Sequence, residues 1–350
     1  MKTTINAQIV AHSVNEQGDE LISVLATFPR IILAEVNTHR MLSKNTSSSR
    51  AIPFHKMVET IQNDPFIPIA WQKGHSGMQG SEYHTGDAAE RFCPNNWLRA
   101  RDRAILEANH LHDNIGVTKQ LCNRLLEPFM WTTMLITGPK SGWDNFFHLR
   151  CPQYTLNNDD IFKSKKDFKA FYKEATEVVE NHLALPLFAE DADTVAWLKA
   201  NKGQAEIHMM ALAECIWDAV SESTPKVLKA GEWHIPFEDT IADVRHWGTG
   251  VPQTMDMVKV SVAMAARTSY TVVGEEKEVN YEAMIGLHDR LLAWDPPHSS
   301  PLEHCAKAMT NEEYWSSFGT TAQNTKGNGW CNNLKGFIPY RYMVDNGIEI

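Results

Sequence analysis

The sequence predicts an α+β fold, with a mixed or antiparallel sheet flanked by helices. β-rich segments gather near the N-terminus around a turn signal. Several helix-length amphipathic stretches follow. No alternating strand–helix rhythm joins the two, so a doubly wound nucleotide fold is not expected. The 350 residues are 43% hydrophobic and 22% charged, enough for a sizeable core, and are read as a single domain over 1–350.

In order, residues 5–12 and 21–36 have strand composition, and Asn15-Glu16-Gln17-Gly18-Asp19 between them signals a hairpin turn. Pro29 interrupts, and Ile31 to Val36 looks like the start of a buried helix. Residues 60–95 carry Gly, Pro, Ser and His without periodicity and read as a surface excursion, taken as 56–100. A helical pattern runs from Asn96 to about Met130. Its second part, Ile115 to Leu126, is expected to stop at Pro128. A second excursion, 151–203, contains a Lys- and Glu-rich helical stretch over 160–200. Further helices are expected at 204–220, 255–267 and 280–293, with strands at Cys305 to Met309 and around Phe337 to Met343.

The formal net charge of -10, from 33 basic and 43 acidic residues, argues against a nucleic-acid coat or an anionic-membrane protein, since both want a positive field. A phosphate monoester is not excluded, because two or three placed arginines suffice for it. No C-x-x-C pair occurs among the six cysteines, so thiol metal and redox motifs are weak and reduced thiols in a cytoplasmic protein are expected. No apolar signal core opens the chain, and no apolar run approaches the length of a membrane span.

The most informative stretch is Thr38-His39-Arg40-Met41-Leu42-Ser43-Lys44-Asn45-Thr46-Ser47-Ser48-Ser49-Arg50. Hydroxyls and backbone amides followed by arginine suit a phosphate, although a solvated serine-rich loop has the same composition. The segment resembles the R-H-R-x-x-S-x-N-E-x-S-x-R-Y signature of the flavin-dependent thymidylate synthases. It matches at His39, Arg40, Ser43, Asn45, Ser48 and Arg50, and departs at Thr38, Thr46 and Ala51. Gly116 to Pro128 is similar to the family's helix ending in A-R-x-x-L-P. Asn145-Phe146-Phe147-His148-Leu149-Arg150 is similar to N-F-x-x-L-R, and Gln204-Ala205-Glu206-Ile207 to A-Q-x-E-I. Two further matches come out of family order. Ala266-Arg267-Thr268-Ser269-Tyr270 resembles A-R-x-S-[FY], and His298 to His304 resembles H-x-[ST]-P-F-E-H. A circular permutation that moves the family's N-terminal portion to 255–310 accounts for this.

The resemblance implies a flavin-dependent thymidylate synthase-like fold, circularly permuted with helical insertions. It implies transfer of a one-carbon unit to C5 of dUMP, with FAD as cofactor and with methylenetetrahydrofolate and NADPH as co-substrates. His39, Arg40, Asn45, Asn145, Ser269 and Ser300 fall on the flavin side. Ser48, Ser49, Arg50, Arg124 and Arg150 fall on the nucleotide side, and Arg150 and His298 beside the reacting rings. A homotetramer with active sites between subunits is implied, located in the cytoplasm, or in the host cytoplasm for a viral protein. Thr38 and Thr46 look like those of divergent phage-type members, so hydroxymethylation of dUMP or dCMP is the first alternative. Cys151 offers a covalent route only if its thiol is activated. The second alternative is a metal-dependent nucleotide phosphohydrolase built on His110-Leu111-His112-Asp113. It is disfavoured because histidines two apart do not share a helical face, and no metal is expected.

Overall fold

The chain opens with a hairpin set by its turn. In the computed structural model, which describes residues 2–77, 80, 82–155, 160–172, 194–243, 247, 253–270, 280–295, 297–316 and 328–348, strands β1 (Asn6–Asn15) and β2 (Glu20–Pro29) pair antiparallel. Asn15 Oδ1 accepts from the backbone N–H of Gln17 and Asp19 at 3.1 and 2.8 Å. Gly18 takes φ +83°, a left-handed value that side chains resist. Strands β3 (Ser43–Thr46), β4 (Trp131–Pro139) and β5 (Lys226–Leu228) complete a five-stranded sheet of order β3-β4-β2-β1-β5. Every pair in it is antiparallel except β1–β5.

The helices used below are α1 (Leu33–Asn37), α2 (Phe54–Asn63), α3 (Cys93–Asn109), α4 (Lys140–Arg150), α5 (Ile207–Glu222), α6 (Thr254–Arg267) and α7 (Tyr281–Ala293). Alternate residues Ile22, Val24, Ala26 and Phe28 of β2 turn one way, as the two-residue period of a strand requires. They bury against Trp143 and Phe146 of α4 and Met209, Leu212 and Ile216 of α5. Each such side chain contributes about 1.5–3 kcal/mol on leaving water. A second core gathers α6, α7 and the segments around Trp233 and Tyr340, and a third joins α2, α3 and residues 122–130.

The opposite face of the large sheet meets a smaller one. Strands β6 (Trp233–His234) and β7 (Ala306–Ala308) and, after a two-stranded ribbon of β8 (Trp330–Cys331) and β9 (Leu334–Lys335), strand β10 (Phe337–Pro339) form it in the order β10-β7-β6. Between the sheets runs a buried polar chain. His234 Nδ1 meets Ser13 Oγ at 2.9 Å and its Nε2 meets Ser23 Oγ at 2.8 Å. Ser23 Oγ meets Thr137 Oγ1 at 2.6 Å, which meets His304 Nδ1 at 2.8 Å. Both imidazoles are fully buried, and loss of solvation pushes their pKa values down to about 3; His12, His304 and Lys226 add to the effect on His234.

Several sequence expectations need correction. Strand β4 lies inside the sheet, between β3 and β2, where no strand is predicted. Because it is buried without a break from Met134 to Pro139, no period-2 signal marks it. Helix α2 enters the expected excursion 56–100, and α3 begins at Cys93, preceded by a π-helical turn over Ala88–Phe92. Pro128 does not stop a helix at Leu126. It lies inside a 3-10 helix, Asn123–Phe129, that follows the short helix Lys119–Cys122. After Pro339 the chain is helical over Tyr340–Asp345, not extended. Within 151–203, helices cover Lys165–Tyr172 and Thr194–Ala200, while 173–193 lie outside the described residues. No helix of the described residues is long and apolar enough to cross a membrane.

Candidate functional site

The segment 38–50 is the hub of the candidate site, because remote parts of the chain, from Asn123 to Asn333, bond to it. It leaves the end of α1, runs through β3 on the edge of the sheet, and loops into α2. At its start, Arg150, the last residue of α4, donates from Nε to His39 Nε2 at 3.1 Å and from Nη2 to Thr38 Oγ1 at 3.3 Å. A ring nitrogen that accepts from a guanidinium carries no proton, so His39 is neutral with its proton on Nδ1. Burial, then the charges of Arg150 and Lys44, hold its pKa down at about 4. Phe146 supports the ring edge-on at 4.9 Å.

Lys44 donates to the backbone oxygens of His39 and Leu42, the latter at 2.9 Å, and burial brings its pKa down to about 8 despite the opposing charge of Glu303. Glu35 stands 3.9 Å from Arg150; burial and the charge of Glu206 raise its carboxyl, against Arg150 and His208. Glu206 also lines a cavity of about 580 Å³ together with Tyr83, Lys199, Lys202 and Met210.

Strand alternation turns Ser43 and Asn45 inward. Asn45 Nδ2 donates to the Ala265 oxygen at 3.1 Å, and Asn45 Oδ1 accepts from Ser300 Oγ. Thr268 Oγ1 reaches the Ala265 and Asn45 oxygens, and the Ser48 N–H donates to the Ser269 oxygen at 2.7 Å. Thr46, where the resemblance expects Glu, faces β4 and bonds Thr132 Oγ1 at 3.2 Å. A close approach fixes the hub below this level. A Cβ on Gly138 would lie 2.4 Å from Leu42 Cδ2, so that position admits no side chain without displacing Leu42.

The other end is tied by residues that the sequence reading missed. Ser49 Oγ donates to Glu127 Oε1 at 2.5 Å, and Arg30 bridges Glu127 Oε1 and the Ser47 oxygen at 3.1 and 2.9 Å. Asn123, fully buried, donates to the oxygens of Ser49 and Ile52. Arg30 follows the noticed Pro29, and Asn123 precedes the noticed Arg124, but no local pattern marks either. Asn123–Ser49 bonding places Arg124 and Arg50 on adjoining segments, each one residue from the bond. Both are exposed, as is Arg40, whose backbone oxygen accepts from Asn333 Nδ2 at 3.1 Å, and none of the three side chains has a hydrogen bond or ion pair to a described residue.

A fixed, partly exposed guanidinium, Arg150, therefore stands at the start of the segment, and two exposed cations, Arg50 and Arg124, stand at its other end, where their donors suit an anion such as a phosphate monoester. Asn145 and His298 are exposed; His298 stands edge-on to Trp294, with centroids 6.0 Å apart. Asn45, Ser49 and Ser300 have their polar atoms engaged by protein, so they hold the site's shape. Cys151 is 4% exposed and burial raises its thiol, which disfavours a thiolate nucleophile.

No family model matches the sequence, and no curated protein matches it. Among solved structures the chain is similar to a UMP/dUMP methylase, PolB, from Streptomyces cacaoi bound with 5-Br dUMP. The TM-score is 0.36 and the identity 11%, over 51% of this chain and 92% of that one. It is also similar to the flavin-dependent thymidylate synthase ThyX from Helicobacter pylori complexed with FAD and dUMP. There the TM-score is 0.24 and the identity 14%, over 45% of this chain and 67% of that one.

Proposed function

We propose that the chain is a flavin-dependent enzyme that transfers a one-carbon unit from methylenetetrahydrofolate to C5 of dUMP. The observation that carries this reading is the seating of segment 38–50 by Arg150, by Ala265, Ser269 and Ser300, and by Asn123 and Glu127. These segments hold the motif matches that are scattered along the sequence, and their meeting supports a permuted form of the fold. The donor set fits the nucleotide: Arg50 and Arg124 have unused N–H groups for a dianionic phosphate.

In this reading Arg150 lies along the O2/N3 edge of the uracil ring. Its guanidinium stabilises the ring deprotonated at N3, and electron density rises at C5, the carbon that attacks. His39, kept neutral, accepts from Nε of Arg150 and sets its orientation without a competing positive charge. His298 and Asn145, both exposed, are the residues that would hold a flavin, which when bound would supply the hydride that reduces the transferred one-carbon unit. NADPH is the proposed source of those equivalents. A homotetramer would bring further walls to a site that lies open on one chain.

The test is the visible spectrum of the purified protein with FAD, followed by addition of dUMP. A bound flavin band that shifts with dUMP, and a product heavier by CH2 after methylenetetrahydrofolate and NADPH are added, is the expected result. A product one oxygen heavier still makes the chain a hydroxymethylase. A protein that neither retains FAD nor responds to dUMP overturns the proposal.

A further inference from the structure

We propose that His55, His112 and Asp113 form a binding site for a divalent transition-metal ion, with zinc the ion that their chemistry fits best. The site is separate from the nucleotide reading and does not depend on it.

His55 lies in the first turn of α2, while His112 and Asp113 lie in a π-helical segment, His110–Ile115, that continues α3. One ligand atom from each residue falls within 4.8 Å of the other two. His112 Nδ1 is 2.7 Å from Asp113 Oδ1, and His55 Nε2 is 3.6 Å from the same oxygen. Tetrahedral zinc with bonds of about 2.0–2.1 Å needs ligand atoms about 3.3 Å apart, so small rotations of the side chains suffice. Two imidazoles and one carboxylate are a borderline-soft set that suits zinc better than calcium or magnesium.

The rings are held rather than loose. His112 stacks on Phe54 with centroids 4.2 Å apart and planes at 17°, and His55 meets it edge-on at 5.2 Å. Such packing limits the rotamer freedom that binding would otherwise have to remove. Spacing alone hides the site. His110 and His112, two apart, do not share a face, and His110 instead meets Asn114 at 3.1 Å. The second histidine comes from α2, which follows directly on the loop bearing Ser49 and Arg50. A bound ion would clamp the exit of that loop to the end of α3 and keep one coordination position toward solvent.

The experiment is isothermal titration of the chelator-treated full chain with Zn²⁺, with metal analysis after dialysis. Saturable binding of one equivalent is expected. His55→Ala should weaken it at least about tenfold, since even the loss of an outer-sphere partner weakens metal sites by about 10–100-fold. The His55 side chain is 72% exposed, so this change spares the fold, and circular dichroism checks that it does. Asp113→Asn should weaken binding likewise, while His110→Ala should leave it unchanged. Absence of saturable binding overturns the proposal. So does binding that survives both His55→Ala and Asp113→Asn, because that would place the ion on other histidines of the chain.

Discussion

Acid should destabilise this protein through two histidines that have no carboxylate beside them. His234 and His304 are fully buried in the polar chain between the sheets and are bonded only to hydroxyls there. Their pKa values stand at about 3 in the folded protein, against about 6.5 in an unfolded chain. Between these values the unfolded state binds protons and the native state does not, so stability is greatest above pH 6.5 and falls as the pH is lowered. From pH 7 to pH 5 each ring withdraws about 2 kcal/mol, and the pair about 4 kcal/mol. That is a large share of a typical folding free energy of about 5–15 kcal/mol. Urea unfolding at the two pH values measures the loss. His304→Gln keeps a polar group within reach of Thr137 but cannot titrate, so its loss between pH 7 and pH 5 should be smaller by about 2 kcal/mol, whatever its stability at pH 7. An equal loss in the wild type and in His304→Gln would refute the reasoning.

Asn45→Ala removes the acceptor of Ser300 and the donor to Ala265, and should cost about 2–3 kcal/mol in a thermal or urea melt; an unchanged midpoint would contradict the seating role of Asn45. Arg50→Ala and Arg124→Ala, both exposed and unbonded among the described residues, should leave stability within about 0.5 kcal/mol, while each weakens the dUMP-induced flavin shift about tenfold or more. Arg150→Lys cannot reproduce the Nε and Nη2 bonds to His39 and Thr38, so turnover should fall while flavin retention persists; full turnover in this variant would remove Arg150 from the chemistry. Cys151→Ala should retain turnover with a lower melting temperature, since the thiol is packed in the core, and a dead but folded variant would revive a covalent route.

The hairpin was legible because its turn chemistry is local: Asn15 and Gly18 declare it without help from the rest of the chain. Strand β4 was not, because a strand paired on both edges and buried over most of its length has no solvated face to alternate with. The helix after Pro339 was hidden by its apolar residues, which a buried strand would share. In the site, His39, Asn45 and Arg150 could be picked out because they sit in recognisable strings. Arg30, Asn123 and Glu127 could not, since their importance lies in which distant carbonyl or hydroxyl they meet. The cluster of His55 with His112 was obscured for a related reason: its members lie on different elements, and a π turn breaks the helical count.

Asn45 finds its partners at Ala265 and Ser300, 220 and 255 positions further along the chain. On the ribosome, the segment that carries His39 and Arg50 is made early and can be tied by Asn123, Glu127 and Arg150, but its Asn45 must wait, unseated, until most of the polypeptide has emerged. Closing so long a span is slow, although its entropic penalty grows only with the logarithm of its length. A nascent chain halted before position 265 would already carry Arg50, Arg124 and Arg150, yet would lack the carbonyl and the hydroxyl that hold Asn45 in place.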